Sequence, residues 1–130
     1  MGYLGRYEQA VLAFDKAIKI KPNYHYGLQN KGYALENLEK YEEAIFAYDN
    51  ALEIKPDYEG ALYNKGYALS LLGRYKEEIY AYDKFLEIKP DNDQVWYNKG
   101  IALENLERYK EAIVAYEKAL EIKPDSYEVW

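Results

Sequence analysis

The chain has 130 residues, enough for one domain with a buried core, and 49% of them are hydrophobic. Its net charge is -6, and lysine and arginine are scattered among the acidic residues, which excludes the basic stripe of a nucleic-acid-binding protein. There is no cysteine or threonine and a single histidine, His25, so we expect neither an enzyme nor a bound metal or cofactor.

Uninterrupted apolar runs are short throughout the chain. The run AIVAY at residues 112–116 is typical, and a membrane-spanning helix needs about 20 apolar residues. The absence of cysteine agrees with a reducing compartment. We therefore expect no membrane partner and a cytoplasmic location.

In chain order, four prolines recur at a fixed spacing of 34 residues: Pro22, Pro56, Pro90 and Pro124. Each follows the dipeptide Ile-Lys, as in IKIKPNY and LEIKPDY. Proline lacks an amide hydrogen and disfavours helix in the residue before it. Each Lys-Pro step therefore predicts the end of a helix and a short turn.

The proline spacing divides the chain into units. Residues 1–24 are expected to hold the tail of a first helix and a complete second helix. Three whole units follow at 25–58, 59–92 and 93–126, and residues 127–130 open another. Because the chain begins and stops inside units, we expect apolar surface to be uncovered at both ends of the array.

Each whole unit contains two amphipathic helical stretches. In the unit 25–58, the segment GLQNKGYALENL places these apolar residues at helical spacing: Leu28, Ala34, Leu35 and Leu38. The segment YEEAIFAYDNALEI does the same with Tyr41, Ala44, Ile45, Tyr48, Ala51, Leu52 and Ile54. Only Glu39 and Lys40 separate the two stretches, so they are predicted to form an antiparallel hairpin in an all-α fold.

Glycine recurs in the middle of each first helix, at Gly32, Gly66 and Gly100. Glycine there costs about 1 kcal/mol relative to alanine, so a close approach of the second helix must offset the cost. Alanines early in the second helices, Ala44 and Ala112, also allow the helix axes to approach.

The unit 59–92 departs from its neighbours at two alanine positions, which are occupied by Glu78 and Phe85. A buried glutamate with a function is one interpretation of Glu78. The one we favour is that its stem turns outward to solvent or to a lysine, since unpaired carboxylates are rarely buried. Phe85 is expected to shift the stacking of the helices locally.

The pattern resembles the tetratricopeptide repeat family, whose helix-turn-helix unit also has 34 residues. In the unit 93–126 the signature positions are occupied by Trp96, Gly100, Tyr109, Ala112, Tyr116, Ala119 and Pro124. The resemblance implies a right-handed α-solenoid, or superhelix, over the whole chain. Lys31, Lys65 and Lys99 stand where the family usually has leucine, and we expect their stems to pack while the ammonium groups reach water.

The resemblance also implies a concave groove lined by the first helices, which binds a protein partner as an extended peptide segment. The matching groove residues of the first whole unit are Tyr26, Gln29, Asn30, Tyr33, Glu36 and Asn37. The next unit supplies Gly60, Tyr63, Asn64, Tyr67 and Ser70. The last supplies Gln94, Tyr97, Asn98, Ile101, Glu104 and Asn105.

An asparagine ladder and flanking tyrosines suit this role, although the same residues could serve only in packing. Asn30, Asn64 and Asn98 lie one unit apart, and an amide can both donate to and accept from a peptide backbone. Tyrosine offers apolar area with a polar tip.

The chemistry of the partner follows from the charges in the groove. Relatives that clamp the acidic tails of chaperones use lysine and arginine there, whereas the matching positions here hold Gln29, Tyr33, Tyr63, Tyr67 and Gln94. We therefore expect no acidic-tail clamp. The peptide should be uncharged or basic, and partly apolar.

A second hypothesis gives the chain a structural role through self-association of its uncapped terminal helices. The residues expected at these ends are Ala10, Phe14, Ile113, Tyr116 and Trp130. Head-to-tail stacking and exchange of a terminal helix would both bury them, and the sequence leaves the two routes open. Either route predicts a weak homo-oligomer, because the area buried roughly offsets the cost of association.

Overall fold

A computed structural model describes residues 2–124, with side chains described from residue 5 onward. This part of the chain contains seven α-helices and no strand. They are α1 (Gly2–Ile20), α2 (His25–Asn37), α3 (Tyr41–Ile54), α4 (Glu59–Leu71), α5 (Tyr75–Ile88), α6 (Asp93–Asn105) and α7 (Tyr109–Ile122). The prediction of an all-α fold is confirmed.

The helices form a stack of hairpins. α2 packs on α3, α4 on α5, and α6 on α7, and these are the most extensive contacts in the fold. Each hairpin then packs on the next through α3 against α4 and α5 against α6, while α1 covers α2. The molecule is therefore an α-solenoid in which every hairpin is held by its neighbours.

The prolines end the second helices, as predicted. α3 ends at Ile54 and α5 at Ile88, each two residues before the proline of its unit. The residue between them closes the last helical turn, because the amide of Lys55 donates to the carbonyl oxygen of Ala51 at 2.9 Å. Since the proline has no amide hydrogen, the helix cannot continue through it.

The turn inside each hairpin is one residue longer than predicted, because α2 ends at Asn37 rather than at Leu38. Glu39 adopts a left-handed conformation with φ of 61°, and the amide of Lys40 donates to the Leu35 carbonyl at 2.9 Å. This is a Schellman-type helix end. The other two hairpins place Gly73 (φ 73°) and Glu107 (φ 60°) at the same position.

The first helix also differs from the expectation. α1 is one continuous helix from Gly2 to Ile20, without the turn that separates a first from a second helix in the other units. Gly5 and Arg6, the counterparts of Gly73 and Arg74, are helical. The same residue types therefore form a turn in one unit and part of a helix in another.

The glycines of the first helices mark close helix crossings, as predicted. A Cβ atom at Gly66 would lie 2.4 Å from the ring of Tyr82, and one at Gly32 would lie 2.5 Å from the ring of Tyr48. Tyr48 and Tyr82 are fully buried and cannot move aside. The energetic cost of a helical glycine is thus offset by the close packing of a large aromatic ring.

The lysines that replace the family's leucine join consecutive hairpins. Each ammonium pairs with an aspartate on the second helix of the preceding unit, in the pairs Lys31–Asp15 (2.7 Å), Lys65–Asp49 (2.6 Å) and Lys99–Asp83 (2.7 Å). The ammonium groups, which were expected to reach only water, therefore form ion pairs with these aspartates. The aspartates recur at the same 34-residue spacing as the lysines, so the signal was present in the sequence.

Candidate functional site

The predicted groove residues all lie on α2, α4 and α6, whose shared face we call the first-helix surface. Tyr26, Tyr33 and Tyr67 are about half exposed on it. Asn30 and Asn64 are partly exposed, and their amides have no hydrogen-bonding partner among the described residues. The surface therefore offers free aromatic area and free amide groups on adjacent helices.

Other predicted residues already have partners within the protein. The Tyr58 hydroxyl donates to the side-chain oxygen of Gln29, and the amide of Asn37 donates to the backbone oxygen of Tyr33 at 2.9 Å. The ring of Tyr97 packs against that of Tyr116, with centroids 5.5 Å apart. Asn105 is exposed at the end of α6.

In the first and last hairpins, a glutamate on the first helix accepts a hydrogen bond from a tyrosine of the second helix, which is buried at Tyr48 and partly exposed at Tyr116. The Tyr48 hydroxyl donates to Glu36 at 2.9 Å, and the Tyr116 hydroxyl donates to Glu104 at 2.7 Å. Burial raises the pKa of Glu36, and the bond from Tyr48 offsets part of this effect.

In the middle hairpin, the tyrosine hydroxyl has a different acceptor. Ser70 stands where the neighbours have glutamate, and its hydroxyl donates to the backbone oxygen of Tyr67. The Tyr82 hydroxyl is bonded instead to Glu78 on its own helix. Glu78 is only 3% exposed, so the expectation that it turns outward is wrong. It stays inside because Tyr82 needs an acceptor that Ser70 does not supply.

Glu78 is the last acceptor of a hydrogen-bond chain that starts on α6. The amide of Gln94 donates to the Oδ1 atom of Asn98 at 3.1 Å, Asn98 is bonded to the Tyr82 hydroxyl, and Tyr82 is bonded to Glu78. The Oε1 atom of Glu78 is buried and has no partner among the described residues. Burial raises the pKa of Glu78 to about 7, and the bond from Tyr82 opposes the shift.

A cavity of about 280 Å³ opens on the first-helix surface at this network. It is lined by Tyr63, Tyr67, Ser70, Glu78, Tyr82, Gln94, Asn98 and Ile101. The structure thus brings six predicted groove residues together with Glu78 and Tyr82, which sequence reasoning did not place there. The available signal was a paired exchange within one unit: glutamate replaces alanine at 78, and serine replaces glutamate at 70.

Phe85, the second departure of this unit, lies in the core beside the cavity. It is buried with Leu62, Leu86 and Val95, and its ring centroid is 6.2 Å from that of Tyr63. Phe85 therefore supports one of the tyrosines that line the cavity.

The residues predicted at the ends are distributed over α1 and α7. Ala10 and Phe14 are partly exposed on α1, while Tyr116 is partly exposed on α7 and Ile113 is more than half exposed. Trp130 and the predicted unit at 127–130 lie outside the described residues. Tyr109, one turn before Ile113, is also more than half exposed.

A second exposed apolar row follows the second helices, and the sequence analysis missed it. It consists of Leu12, Phe46, Tyr80 and Val114, each more than half exposed and one unit from the next. We call it the second-helix row. Its 34-residue spacing could have revealed it in the sequence.

Between residues 2 and 124, no three histidine or acidic side chains are grouped so that they could hold a metal ion. Within the same range, no helix combines the length and apolar character that crossing a bilayer requires.

The chain is similar to known proteins both in sequence and in fold. Profiles described as "Tetratricopeptide repeat" match residues 25–58 and 94–126, and residues 2–24 and 59–92. The structure is similar to "MamA 41-end from Desulfovibrio magneticus RS-1", with a TM-score of 0.87 and 27% identity over 92% of this chain and 68% of that one.

A "MamA RS-1 ArsTM double mutant" gives the same TM-score and identity over 92% of this chain and 67% of that one. The structure titled "Crystal structure of MamA" has a TM-score of 0.88 at 23% identity, covering 92% and 70%, and shows the shared fold alone. A search of curated proteins found no match to the sequence.

Proposed function

The chain belongs to the tetratricopeptide repeat family, and we propose that it is a protein-interaction scaffold that binds an extended peptide across the first-helix surface. The observation that carries this proposal is the pair of amides at Asn30 and Asn64, which have no partner among the described residues and lie one unit apart. Such amides can satisfy the donors and acceptors of an extended backbone.

The tyrosines around these amides would supply most of the contact area. Tyr26, Tyr33 and Tyr67 are about half exposed, and a tyrosine ring buries large area at a low cost in side-chain entropy. Peptide side chains that alternate along an extended backbone would rest on these rings, which favours a partly apolar segment.

The charge of the surface favours an uncharged or basic segment. The predicted groove positions contain the carboxylates Glu36 and Glu104 but no lysine or arginine. An acidic chaperone tail would therefore lack cationic partners and meet like charges. We propose action in the cytoplasm, in keeping with the absence of cysteine.

Selection from a random peptide library on the immobilised chain tests the proposal. The selected peptides are then titrated by fluorescence anisotropy against wild type, the double variant Asn30→Ala/Asn64→Ala, and a control variant Phe46→Gln. Phe46 belongs to the second-helix row and is exposed, so its replacement leaves the core intact. We expect a loss of at least about tenfold for the double variant and less than about twofold for the control. Equal binding by wild type and the double variant would contradict the proposal.

Self-association is a second candidate function, favoured by the exposed face of α7. Tyr109 and Ile113 are both more than half exposed one turn apart, and this face is of the kind that each earlier hairpin covers with its successor. We propose that a second copy covers it, by head-to-tail stacking or by helix exchange, with Ala10 and Phe14 of α1 on the opposing side.

Light scattering over about a hundredfold range of concentration tests this candidate. Mass that rises with concentration for wild type and stays monomeric for Ile113→Lys would support it. The control Val114→Lys changes an exposed residue of the second-helix row instead. A constant monomer mass for wild type would rule self-association out.

A further inference from the structure

We infer that the cavity between α4, α5 and α6 is a subsite for a lysine side chain of the bound peptide, held by the Glu78 carboxylate. The inference rests on the proposed function, because the lysine is delivered by a peptide lying on the first-helix surface. It adds a specificity-determining residue, Glu78, which stands where the neighbouring hairpins have Ala44 and Ala112.

The first observation is an unsatisfied hydrogen-bond acceptor in the Glu78 carboxylate. One oxygen of Glu78 has no partner among the described residues, although the residue is 97% shielded and lines the cavity. Every other group of the hydrogen-bond chain from Gln94 through Asn98 and Tyr82 passes a hydrogen toward this carboxylate. An acceptor with this environment calls for a donor from outside the chain.

The second observation is the lack of a compensating charge. None of the ion pairs formed by the described residues includes Glu78, while Lys65 and Lys99 on the adjacent first helices are engaged by Asp49 and Asp83. A buried carboxylate is strongly stabilised by an opposite charge at hydrogen-bond distance. A cationic side chain of the partner supplies both the missing charge and the missing donor.

The third observation is the shape and lining of the cavity. Its volume of about 280 Å³ admits an extended aliphatic stem, and its lining residues Tyr67 and Ile101 offer apolar surface for that stem. The rings of Tyr63 and Tyr67 are suited to cation–π contact with an ammonium group. Asn98 and Ser70 add polar groups around the head of the lysine.

Protonation of Glu78 should then control the subsite. The other ionisable groups that line the cavity are Tyr63 and Tyr67 from α4 and Tyr82 from α5, while α6 contributes only Gln94, Asn98 and Ile101. Burial raises the pKa of Tyr82 above its usual range and that of Glu78 to about 7. Glu78 therefore changes charge between about pH 6 and pH 8, and affinity for lysine should rise over that interval.

The test uses peptide libraries that are random except at one central position, fixed as lysine, arginine or norleucine. Norleucine has the lysine stem without the ammonium group, so the norleucine library reports on the groove alone. Each library is titrated at about pH 6 and pH 8 against wild type, Glu78→Gln and Glu78→Ala. Glu87→Gln is the matched control, since Glu87 is an exposed carboxylate of α5 that does not line the cavity. Circular dichroism confirms that each variant is folded.

We expect wild type to prefer the lysine library over norleucine by at least about tenfold at pH 8, and by clearly less at pH 6. Both Glu78 variants should lose the preference while binding norleucine normally, and Glu87→Gln should keep it. Equal binding of lysine and norleucine by wild type would overturn the subsite but leave the groove intact. Preference for arginine over lysine would also overturn it. Failure of all libraries to bind would overturn the proposed function and the subsite together.

Discussion

In the middle hairpin, the carboxylate that accepts a hydrogen bond from the tyrosine lies on the second helix, whereas in the outer hairpins it lies on the first. In the outer hairpins the hydroxyls of Tyr48 and Tyr116 donate to Glu36 and Glu104 on the first helix, whereas the Tyr82 hydroxyl is bonded to Glu78 on the second. The exchange keeps the tyrosine hydroxyl bonded and places a carboxylate in the interior. A single residue therefore determines both a structural bond and the chemistry of the cavity.

Glu78 should make the protein less stable as the pH rises. Its pKa is raised in the folded state, so the folded protein binds more protons than the unfolded chain between about pH 4.5 and pH 7. The sign is that stability falls across this interval, by about 2 kcal/mol from this group. Urea unfolding at pH 5 and pH 8 measures the change.

The variant Glu78→Gln isolates this contribution, since it cannot ionise. Glu36 also has a raised pKa, so its contribution to the free energy of unfolding falls with rising pH in the same way. Glu59 and Glu77 have lowered pKa values, so the stability that they contribute is lost only at more acidic pH. The loss of stability from pH 5 to pH 8 should be smaller in Glu78→Gln than in wild type. An identical loss in both proteins would show that Glu78 does not titrate in this range.

Two glycine substitutions test the helix crossing. Gly66→Ala places a Cβ atom 2.4 Å from the buried Tyr82 ring, so we expect destabilisation by about 1 to 3 kcal/mol despite the better helix propensity of alanine. Gly5→Ala is the matched control, because nothing lies within 4 Å of a Cβ atom there. It should be neutral or stabilise by up to about 1 kcal/mol. Thermal unfolding distinguishes these results, and stabilisation by both substitutions would contradict the close crossing.

The residue scale also shows what sequence reasoning could reach. The recurrence of Gly32, Gly66 and Gly100 was enough to predict close crossings, because a periodic cost implies a periodic benefit. The position of Glu78 was not predictable from its own residue type, since an unpaired carboxylate is ordinarily exposed. Its burial depends on the needs of Tyr82, which requires the three-dimensional partner to be known.

At the scale of the helices, the turns of the first and last hairpins contain backbone strain that a substitution by glycine should relieve. Glu39 and Glu107 have left-handed backbone conformations, which cost a non-glycine residue about 1 kcal/mol or more, while the middle hairpin uses Gly73. We expect Glu107→Gly to stabilise the protein by about 0.5 to 1 kcal/mol in urea unfolding. The reciprocal change Gly73→Ala should destabilise it by a similar amount. Destabilisation by Glu107→Gly would mean that the Glu107 side chain makes a contribution larger than the backbone strain.

The ion pairs between consecutive hairpins can be measured by a double-mutant cycle. Lys65 and Asp49 are partly exposed and 2.6 Å apart, so their coupling should be about 0.5 to 1 kcal/mol and should decrease in high salt. A cycle between Lys65 and Asp15 is the control, because Asp15 pairs with Lys31 instead. Coupling of equal size in both cycles would show that the effect is general electrostatics and not the bridge.

Helix boundaries were predictable where a residue imposes them. The prolines end α3 and α5 as expected, since no hydrogen bond can be made at proline. The continuity of α1 through Gly5 and Arg6 was not predictable from the repeat, because Gly73 and Arg74 are the same residue types and lie in a turn. Local sequence favours a turn, and packing decides whether it forms.

At the scale of the molecule, repetition distributes function over surfaces instead of concentrating it at one centre. The first-helix surface has amides and tyrosines at each unit, and the second-helix row has one exposed apolar residue at each unit. Only the middle hairpin adds a buried carboxylate to the first of these surfaces. A partner that spans several units would thus find one distinctive position within an otherwise uniform groove.

The repeat made the fold predictable, because a 34-residue spacing specifies hairpins that must stack. The same regularity limited prediction of the site, since packing and binding residues recur with one period. The free amides of Asn30 and Asn64 could be separated from the internally bonded Gln29 and Asn37 only from the contacts in the structure.

The central claim is that a peptide binds across the first-helix surface, and side-chain amide signals in two-dimensional ¹H–¹⁵N NMR spectra test it most directly. A library-selected peptide is titrated into the labelled protein. We predict that the largest shifts occur at the side-chain amides of Asn30, Asn64 and Asn98, with little change around Phe46 and Tyr80. The largest shifts around Phe46 and Tyr80, with the three asparagine amides unchanged, would place binding on the second-helix row and contradict the claim.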